Sequence, residues 1–252
     1  MERTRSAPLA TFFLSEAALE PRAQVMLGES VARHLRARRL GTGTTVALVD
    51  GEGRRGAATI VREAKDSVTV EIADVEEIAP LPEVHLMVPV ADRDRMLWLA
   101  EKSAELGATS WRPVLWKRSR SVQPRGEGSF FSAKVRARMI AALEQSGNAH
   151  LPRIYPDAPL TRALTAVPSG GSRLVLDPAG PPVFGVAVQA PVTLALGPEG
   201  GLEDAEKAEL RAAGFTAVSL GPGILRFETA GAAGVAIARA LLHQQHGAGH
   251  VG

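Results

Sequence analysis

"VTLALGPEGGLEDAEKAELRAAGF" runs from Val192 to Phe215, and "TAVSLGPGILRFETAGAAGVAIARALL" follows from Thr216 to Leu242. In each stretch an apolar run of strand length empties into Gly and Pro and then takes on a helical pattern. A third strand, "LVLDPAG" from Leu174, ends the same way. Ligands of open α/β sheets sit beyond the carboxyl ends of the strands. Glycine there lets backbone approach a ligand closely, and proline stiffens the turn. Three such loops from one sheet are expected to share a single cleft made mainly of backbone. The competing reading is that αβ proteins need turns, and turns use these residues.

The same grammar extends upstream. "VHLMVPV" from Val84 is a strand, and "DRDRMLWLAEKSAELG" a helix with Met96, Leu97, Leu99, Ala100 and Leu106 on its buried stripe and Gly107 as its end. "TSWRPVLW" is the next strand and "SAKVRARMIAALEQSG" the next helix, ended by Gly147. Apolar strands joined by helices predict a parallel sheet covered on both faces. Residues 1–80 read differently: "TFFL", "QVML", "TTVALVD", "GAATIV" and "SVTVEIA" are short strands, interrupted by one short helix at "ESVARHLRARRL". That spacing favours a small barrel or sandwich. The fold expected is α/β, with a small β domain over residues 1–80 and a larger α/β domain over 81–252.

At 252 residues the chain is long enough for either one large domain or two modest ones. It has no cysteine, which excludes disulfides, thiolate metal sites and a Cys nucleophile. No apolar run has the length of a membrane span, and "MERTRSAPLATFFLSEAALEPR" lacks a signal-type apolar core. A soluble, unexported, cytoplasmic protein with no membrane partner is the expectation. The formal charge is only +2, but its distribution is uneven. Arg33, Arg36, Arg38 and Arg39 crowd one short segment, and eight Lys or Arg against one acid, Glu127, lie between Arg112 and Arg138. Such patches either meet a phosphate backbone or are solvated surface.

What the cleft takes is narrowed by what is missing. Neither a dinucleotide fingerprint in a strand-to-helix setting nor a phosphate-cradling G-x-x-x-x-G-K-[ST] occurs. Glu199, Glu203, Asp204 and Glu206 surround the helix start; they suit the helix dipole and would repel phosphate. The cleft therefore suits a ligand with little negative charge, and an adenosine-based sulfonium would fit. Gly231 and Gly234 lie inside the last helix, where each costs about 1 kcal/mol relative to Ala. Something must come close there: a loop, a cofactor, or a helix of a partner subunit. Ile224 and Leu225 are read as core, with Arg226 and Glu228 as charges at the lip of the cleft. His34 is read as a packed or surface imidazole. His243, His246 and His250 belong to a Gly-rich tail rather than a metal site. Trp98, Trp111 and Trp116 are read as core or sheet-face residues.

"LALGPEGGL" followed by "GFTAVSLGPGILRFETA" resembles the RsmE family of SPOUT-class methyltransferases, and "ARHLRARRLGTGTTVALVDGEG", "EKSAELGATSWRPVLWKRS" and "EQSGNAHLPRI" resemble its other blocks. The resemblance implies a trefoil-knotted α/β domain preceded by a PUA-like β-barrel, S-adenosyl-L-methionine as cofactor, and a homodimer. The reaction it implies is methylation of N3 of one uridine in 16S rRNA of the small ribosomal subunit. The cofactor residues it implies are Leu176, Leu196, Gly197, Pro198, Glu199, Gly200, Gly201, Leu220, Gly221, Ile224 and Leu225. Three positions depart from the family pattern: Gly223 stands where Arg is usual, Phe227 where a small residue is usual, and Asn148 where Arg is common. In this reading Arg226 stabilises the uridine anion, and Glu228 orients Arg226 or accepts the proton. Arg33, Arg36, Arg38, Arg39, Arg118 and Arg120 grip RNA. A non-catalytic RNA-binding or ribosome-assembly protein with a drifted site is the second reading. A conventional nucleotide-dependent α/β enzyme is a third, weakened by the absent phosphate loop.

Overall fold

The computed structural model describes residues 8–15, 19–121 and 124–248, with the side chains at 120–121 and 245–248 outside that description. The chain forms two compact units, Met1–Pro80 with Leu143–Leu151, and Leu81–Ala142 with Pro152–Gly252.

The first unit contains β1 (Thr11–Phe13), β2 (Gln24–Leu27), α1 (Glu29–Ala37), β3 (Thr45–Val49), β4 (Arg54–Glu63) and β5 (Val68–Glu77). They make a curled five-stranded sheet in the order β1-β3-β4-β5-β2, antiparallel except where β1 runs parallel to β3. Alternation along β4 and β5 turns Ala58, Ile60, Val70 and Ile72 inward, and α1 lays Ala32 and Leu35 on the same core. His34 packs edge-on against Phe12, their ring centroids 5.6 Å apart. Residues 143–151 join this unit for local reasons. Leu143 and Ala149 cluster with Val49, the Phe13 amide donates to Glu144 Oε1 at 2.9 Å, and the Leu151 amide donates to the Gly51 carbonyl at 2.8 Å. Burial pushes the Glu144 carboxyl above its ordinary pKa, against the opposing pull of that amide and of His34.

The second unit contains β6 (Val84–Pro89), α2 (Arg93–Glu105), β7 (Ser110–Val114), the first turns of α3 (Gly128–Ser146), β8 (Arg153–Ile154), α4 (Leu160–Leu164), β9 (Ser172–Leu176), β10 (Val192–Leu196), α5 (Asp204–Ala212), β11 (Thr216–Val218) and α6 (Phe227–Ala248). All six strands run parallel, in the order β11-β9-β10-β6-β7-β8. Every residue of β6, β7 and β10 is buried, as expected of central parallel strands covered on both faces. Asp92 caps α2, its carboxylate accepting from the Arg95 amide at 3.0 Å.

Two glycines of α6 explain why that helix sits so close to the sheet. A Cβ on Gly231 would lie 2.8 Å from Leu99 Cδ1 and 2.9 Å from Leu196 Cδ1. One on Gly234 would lie 3.0 Å from Leu176 Cδ1 and 3.3 Å from Leu194 Cδ1. The close neighbours are therefore α2 and the strands of the same chain; these glycines are not reserved for a partner helix. Three other expectations need correcting. Trp98 is 44% exposed, whereas Trp111 and Trp116 are buried. Ile224 is 90% exposed and Leu225 42%, because both sit in a loop and not on a helical face. Arg112, counted with the basic stretch, is 3% exposed inside β7 and is no surface cation.

Candidate active site

Because β9 lies between β10 and β11, the three strands release their chains side by side at one edge of the second unit. The Gly-Pro loops that follow are tied to one another. The Asp177 amide donates to the Val218 carbonyl at 3.0 Å, the Ser219 amide to the Pro181 carbonyl at 2.8 Å, and the Val183 amide to the Ser219 carbonyl at 2.9 Å. The loop after β9 crosses β11 closely enough that a Cβ on Gly180 would lie 2.8 Å from the Val218 nitrogen. The Ser219 hydroxyl donates to the Gly221 carbonyl at 2.8 Å, fixing the turn that leads to Ile224.

These loops enclose a cleft of about 640 Å³, within the range of small-molecule sites. Leu176, Leu196, Gly197, Pro198, Glu199, Gly201, Ile224, Leu225 and Arg226 line it. Leu220 and Gly221 line a smaller hollow beside it, which also touches Leu176 and Leu225. Gly200 takes part from behind, its carbonyl accepting from Arg118 Nη1 at 2.8 Å. Arg118, expected on RNA, thus braces the "GPEGG" turn, and it also approaches Glu203 at 3.9 Å. Glu206 is buried and closes the N-terminus of α5, accepting from the Glu203 amide and from the Lys117 amide, each at 2.8 Å. Of the four acids around that helix start, only Glu199 lines the cleft.

The charges at the lip are organised by a residue that the sequence pattern does not reveal. Arg95, on α2, pairs with Glu199 and lies 3.9 Å from Glu228. Glu228 is thus drawn to Arg95, the ion pair the structure gives it, and its buried Oε2 has no hydrogen-bond partner. Arg226 lines the cleft from an exposed position, while Phe227 turns inward and is 4% exposed. Lys207 and Asp177, 3.5 Å apart, complete the charged rim. No spacing rule brings Arg95 to Glu199; only the folded sheet does.

The arginines of α1 are all exposed: Arg33 pairs with Glu29, and Arg36 Nε donates to the Ala32 carbonyl at 3.2 Å. The side chains of Arg120 and His246, and the whole of His250, lie outside the described residues. Among the described residues no group of His, Asp and Glu is arranged to hold a metal ion.

A backbone-built pocket at the strand ends of a parallel sheet, with Arg95, Lys207 and Arg226 around its mouth and no phosphate loop, marks the second unit as an α/β domain that holds a small-molecule ligand there. The comparisons with known proteins make that specific. The model of the RNA methyltransferase domain matches residues 78–239, and that of the RNA methyltransferase PUA domain matches residues 27–73. The chain belongs to the RNA methyltransferase domain family. It is 28% identical over 210 residues to the ribosomal RNA small subunit methyltransferase E of Mycobacterium bovis, covering 77% of this chain and 78% of that protein. It resembles the crystal structure of the enzyme of that name from Neisseria gonorrhoeae bound to S-adenosyl methionine, with 29% identity and a TM-score of 0.82, over 92% of this chain and 97% of that one. A methyltransferase from Legionella pneumophila in complex with the same cofactor is 26% identical, with a TM-score of 0.79, over 91% of this chain and 96% of that one. The resemblance to RsmE read from the C-terminal motifs therefore holds, as does the α/β fold with a PUA-like first unit.

Proposed function

We propose that this chain transfers the methyl group of S-adenosylmethionine to N3 of a specific uridine in 16S rRNA of the small ribosomal subunit. It does so as a cytoplasmic homodimer, with residues 1–80 as the RNA-binding domain and residues 81–252 as a knotted methyltransferase domain. Family membership and the cofactor-bound relatives support the reaction class. The observation that carries the reading is the single cleft beyond β9, β10 and β11.

The cleft fits the cofactor on its own chemistry. Leu176, Leu196, Ile224 and Leu225 offer apolar walls for a purine, and the turns at Gly197–Gly201 and Leu220–Gly221 offer backbone groups. Glu199 and Asp177 also line the cleft, each paired with a cation, Arg95 and Lys207. When bound, S-adenosylmethionine supplies an electrophilic methyl group. The protein must then hold uridine N3 in line and stabilise it as its proton leaves. Arg226 takes that electrostatic role at the mouth of the cleft. Glu228 is held by Arg95, which also holds Glu199, so one guanidinium ties the start of α6 to the "GPEGG" turn. Glu228 Oε2 is buried and without a hydrogen-bond partner, and Glu228 does not line the cleft, which favours the orienting role over that of proton acceptor. The uridine must leave its stack to enter, and the exposed arginines of α1 bind the surrounding backbone.

The drifted-site reading rests on Gly223 and Phe227. Phe227 is packed inward, and the cleft beside it remains open. To test the reaction, the full chain is incubated with S-adenosylmethionine and either small subunits or free 16S rRNA; nuclease fragments of the rRNA are mapped by mass spectrometry to place the added methyl group, and chromatography of the nucleosides against standards identifies the isomer. N3-methyluridine at one position is expected. Cofactor binding without any methyluridine would overturn the reaction while leaving the cofactor site standing.

A further inference from the structure

The "GPEGG" turn is gripped on the side away from the cleft. Pro198–Gly201 closes on itself, the Gly201 amide donating to the Pro198 carbonyl at 2.8 Å. A short 3-10 helix, Lys117–Ser121, follows β7 and runs behind this turn. From it Arg118 Nη1 donates to the Gly200 carbonyl at 2.8 Å. The stem of Arg118 also fills the space that a side chain at residue 200 would take. A Cβ there would lie 3.1 Å from Arg118 Cβ and 3.4 Å from Arg118 Cδ, and its three nearest atoms all belong to Arg118. Gly200 has no positive φ, so it is the approach of Arg118, and not the backbone conformation, that calls for glycine. The neighbouring residue repeats the grip. The Lys117 amide donates to Glu206 Oε1 at 2.8 Å, while Glu206 Oε2 accepts from the Glu203 amide at 2.8 Å.

Where Arg118 spends its donors decides what it can do. A guanidinium bond to a carbonyl is charge-assisted and stronger than a bond between neutral groups. A turn containing Gly197, Gly200 and Gly201 has more conformers to lose than other sequences. A site that only a fraction of the molecules present in the right shape binds its ligand more weakly by that fraction. Bracing the turn beforehand is therefore read out as ligand affinity. A side chain on an RNA phosphate would act instead on RNA affinity and its salt dependence.

We infer that Arg118 is a positioning residue for the methyl-donor site. It acts through the Gly200 carbonyl, holding Pro198–Gly201 in the shape that takes the ligand, and it is not a phosphate contact. The inference rests on the reading of the cleft as the S-adenosylmethionine site. Among the described residues, neither Arg118 nor Gly200 lines that cleft, so substitutions at either act on the turn and not on the ligand directly.

The test uses the full chain and three measurements: S-adenosylmethionine binding by calorimetry without RNA, RNA binding across a salt series without cofactor, and steady-state methyl transfer. Arg118→Ala should raise the Kd for S-adenosylmethionine about tenfold. Its KM for S-adenosylmethionine should rise in step while kcat at saturation stays within about twofold, as for lost uniform binding. Its RNA affinity and salt slope should match the parent, whereas losing a phosphate contact would lower that slope by about one. Arg118→Lys, which keeps the stem and a donor, should recover part of the cofactor affinity. Gly200→Ala should raise the Kd several-fold by pushing the stem aside. The double variant should bind no more weakly than the worse single one, because both break the same contact. Amide exchange at residues 198–203 of ligand-free Arg118→Ala should be faster than in the parent. A parent that binds no S-adenosylmethionine would overturn the reading of the cleft and this inference with it. If the parent binds, unchanged affinity in Arg118→Ala would overturn this inference alone. So would multiplying effects in the double variant, or a salt slope lowered by about one.

Discussion

Gly231→Ala sets two effects of opposite sign against each other. By helix propensity alone it should stabilise α6 by about 1 kcal/mol. The added methyl, however, would lie 2.8 Å from Leu99 Cδ1 and 2.9 Å from both Leu99 Cδ2 and Leu196 Cδ1. Leu99 is fully enclosed and has no free space to move into, whereas Leu196, buried as well, can give way only toward the cleft it lines. Overpacking of this kind costs about 1–3 kcal/mol, which outweighs the propensity gain. The expected net loss is about 1 kcal/mol, or about 2–4 °C in Tm for a chain of this size. Gly234→Ala is the internal comparison: its contacts, at 3.0 and 3.3 Å, are looser, and its net effect should lie within about 0.5 kcal/mol of zero. Because Leu196 also lines the cleft, Gly231→Ala should weaken S-adenosylmethionine binding as well, whereas Gly234→Ala, whose nearest cleft residue is Leu176, should do so less. Chemical denaturation and calorimetry of the three proteins measure both quantities. If Gly231→Ala were the most stable of the three, the claim that α6 is seated by close contact would be wrong.

Arg226→Ala should lower kcat for methyl transfer about 10²–10³-fold while leaving the Kd for S-adenosylmethionine unchanged; unaltered turnover would remove its electrostatic role. Reversing the charges of Arg33, Arg36 and Arg38 should weaken RNA binding and flatten the dependence of log K on log salt, read by filter binding across a salt series. His85 is held neutral in the folded state by burial and by Arg112, so its pKa lies below the ordinary 6.5. The unfolded chain then takes up the proton more readily, and stability that is full above pH 6.5 is lost as the pH falls below it. In denaturation between pH 7.5 and pH 5, His85→Gln should show a shallower loss than the parent; parallel curves would refute the assignment.

What could be read in advance was local. "VTLAL" corresponds residue for residue to β10, and "QVML" to β2, because strand-length apolar runs bounded by Gly and Pro need no tertiary information. The grouping of three loops was legible too, since strand ends of a parallel sheet share one edge. Arg112 was not: alternation suggests an outward-facing charge, but β7 is covered on both faces, so neither register leads to water. Ile224 and Leu225 misled for the reverse reason, being apolar residues in a loop that presents them to a cleft. Arg95 was invisible because its partners are more than a hundred residues away in sequence. The return of residues 143–151 to the first unit was equally hidden, since α3 carries no break at Leu143 to announce it.

The central claim, that the turns after β9, β10 and β11 together hold the methyl donor, is tested most directly by amide hydrogen exchange with and without S-adenosylmethionine. The account predicts that protection rises together at residues 177–180, 197–201 and 219–225, with little change in the first unit. Protection confined to one of these turns, or appearing elsewhere while all three stay unchanged, would contradict it.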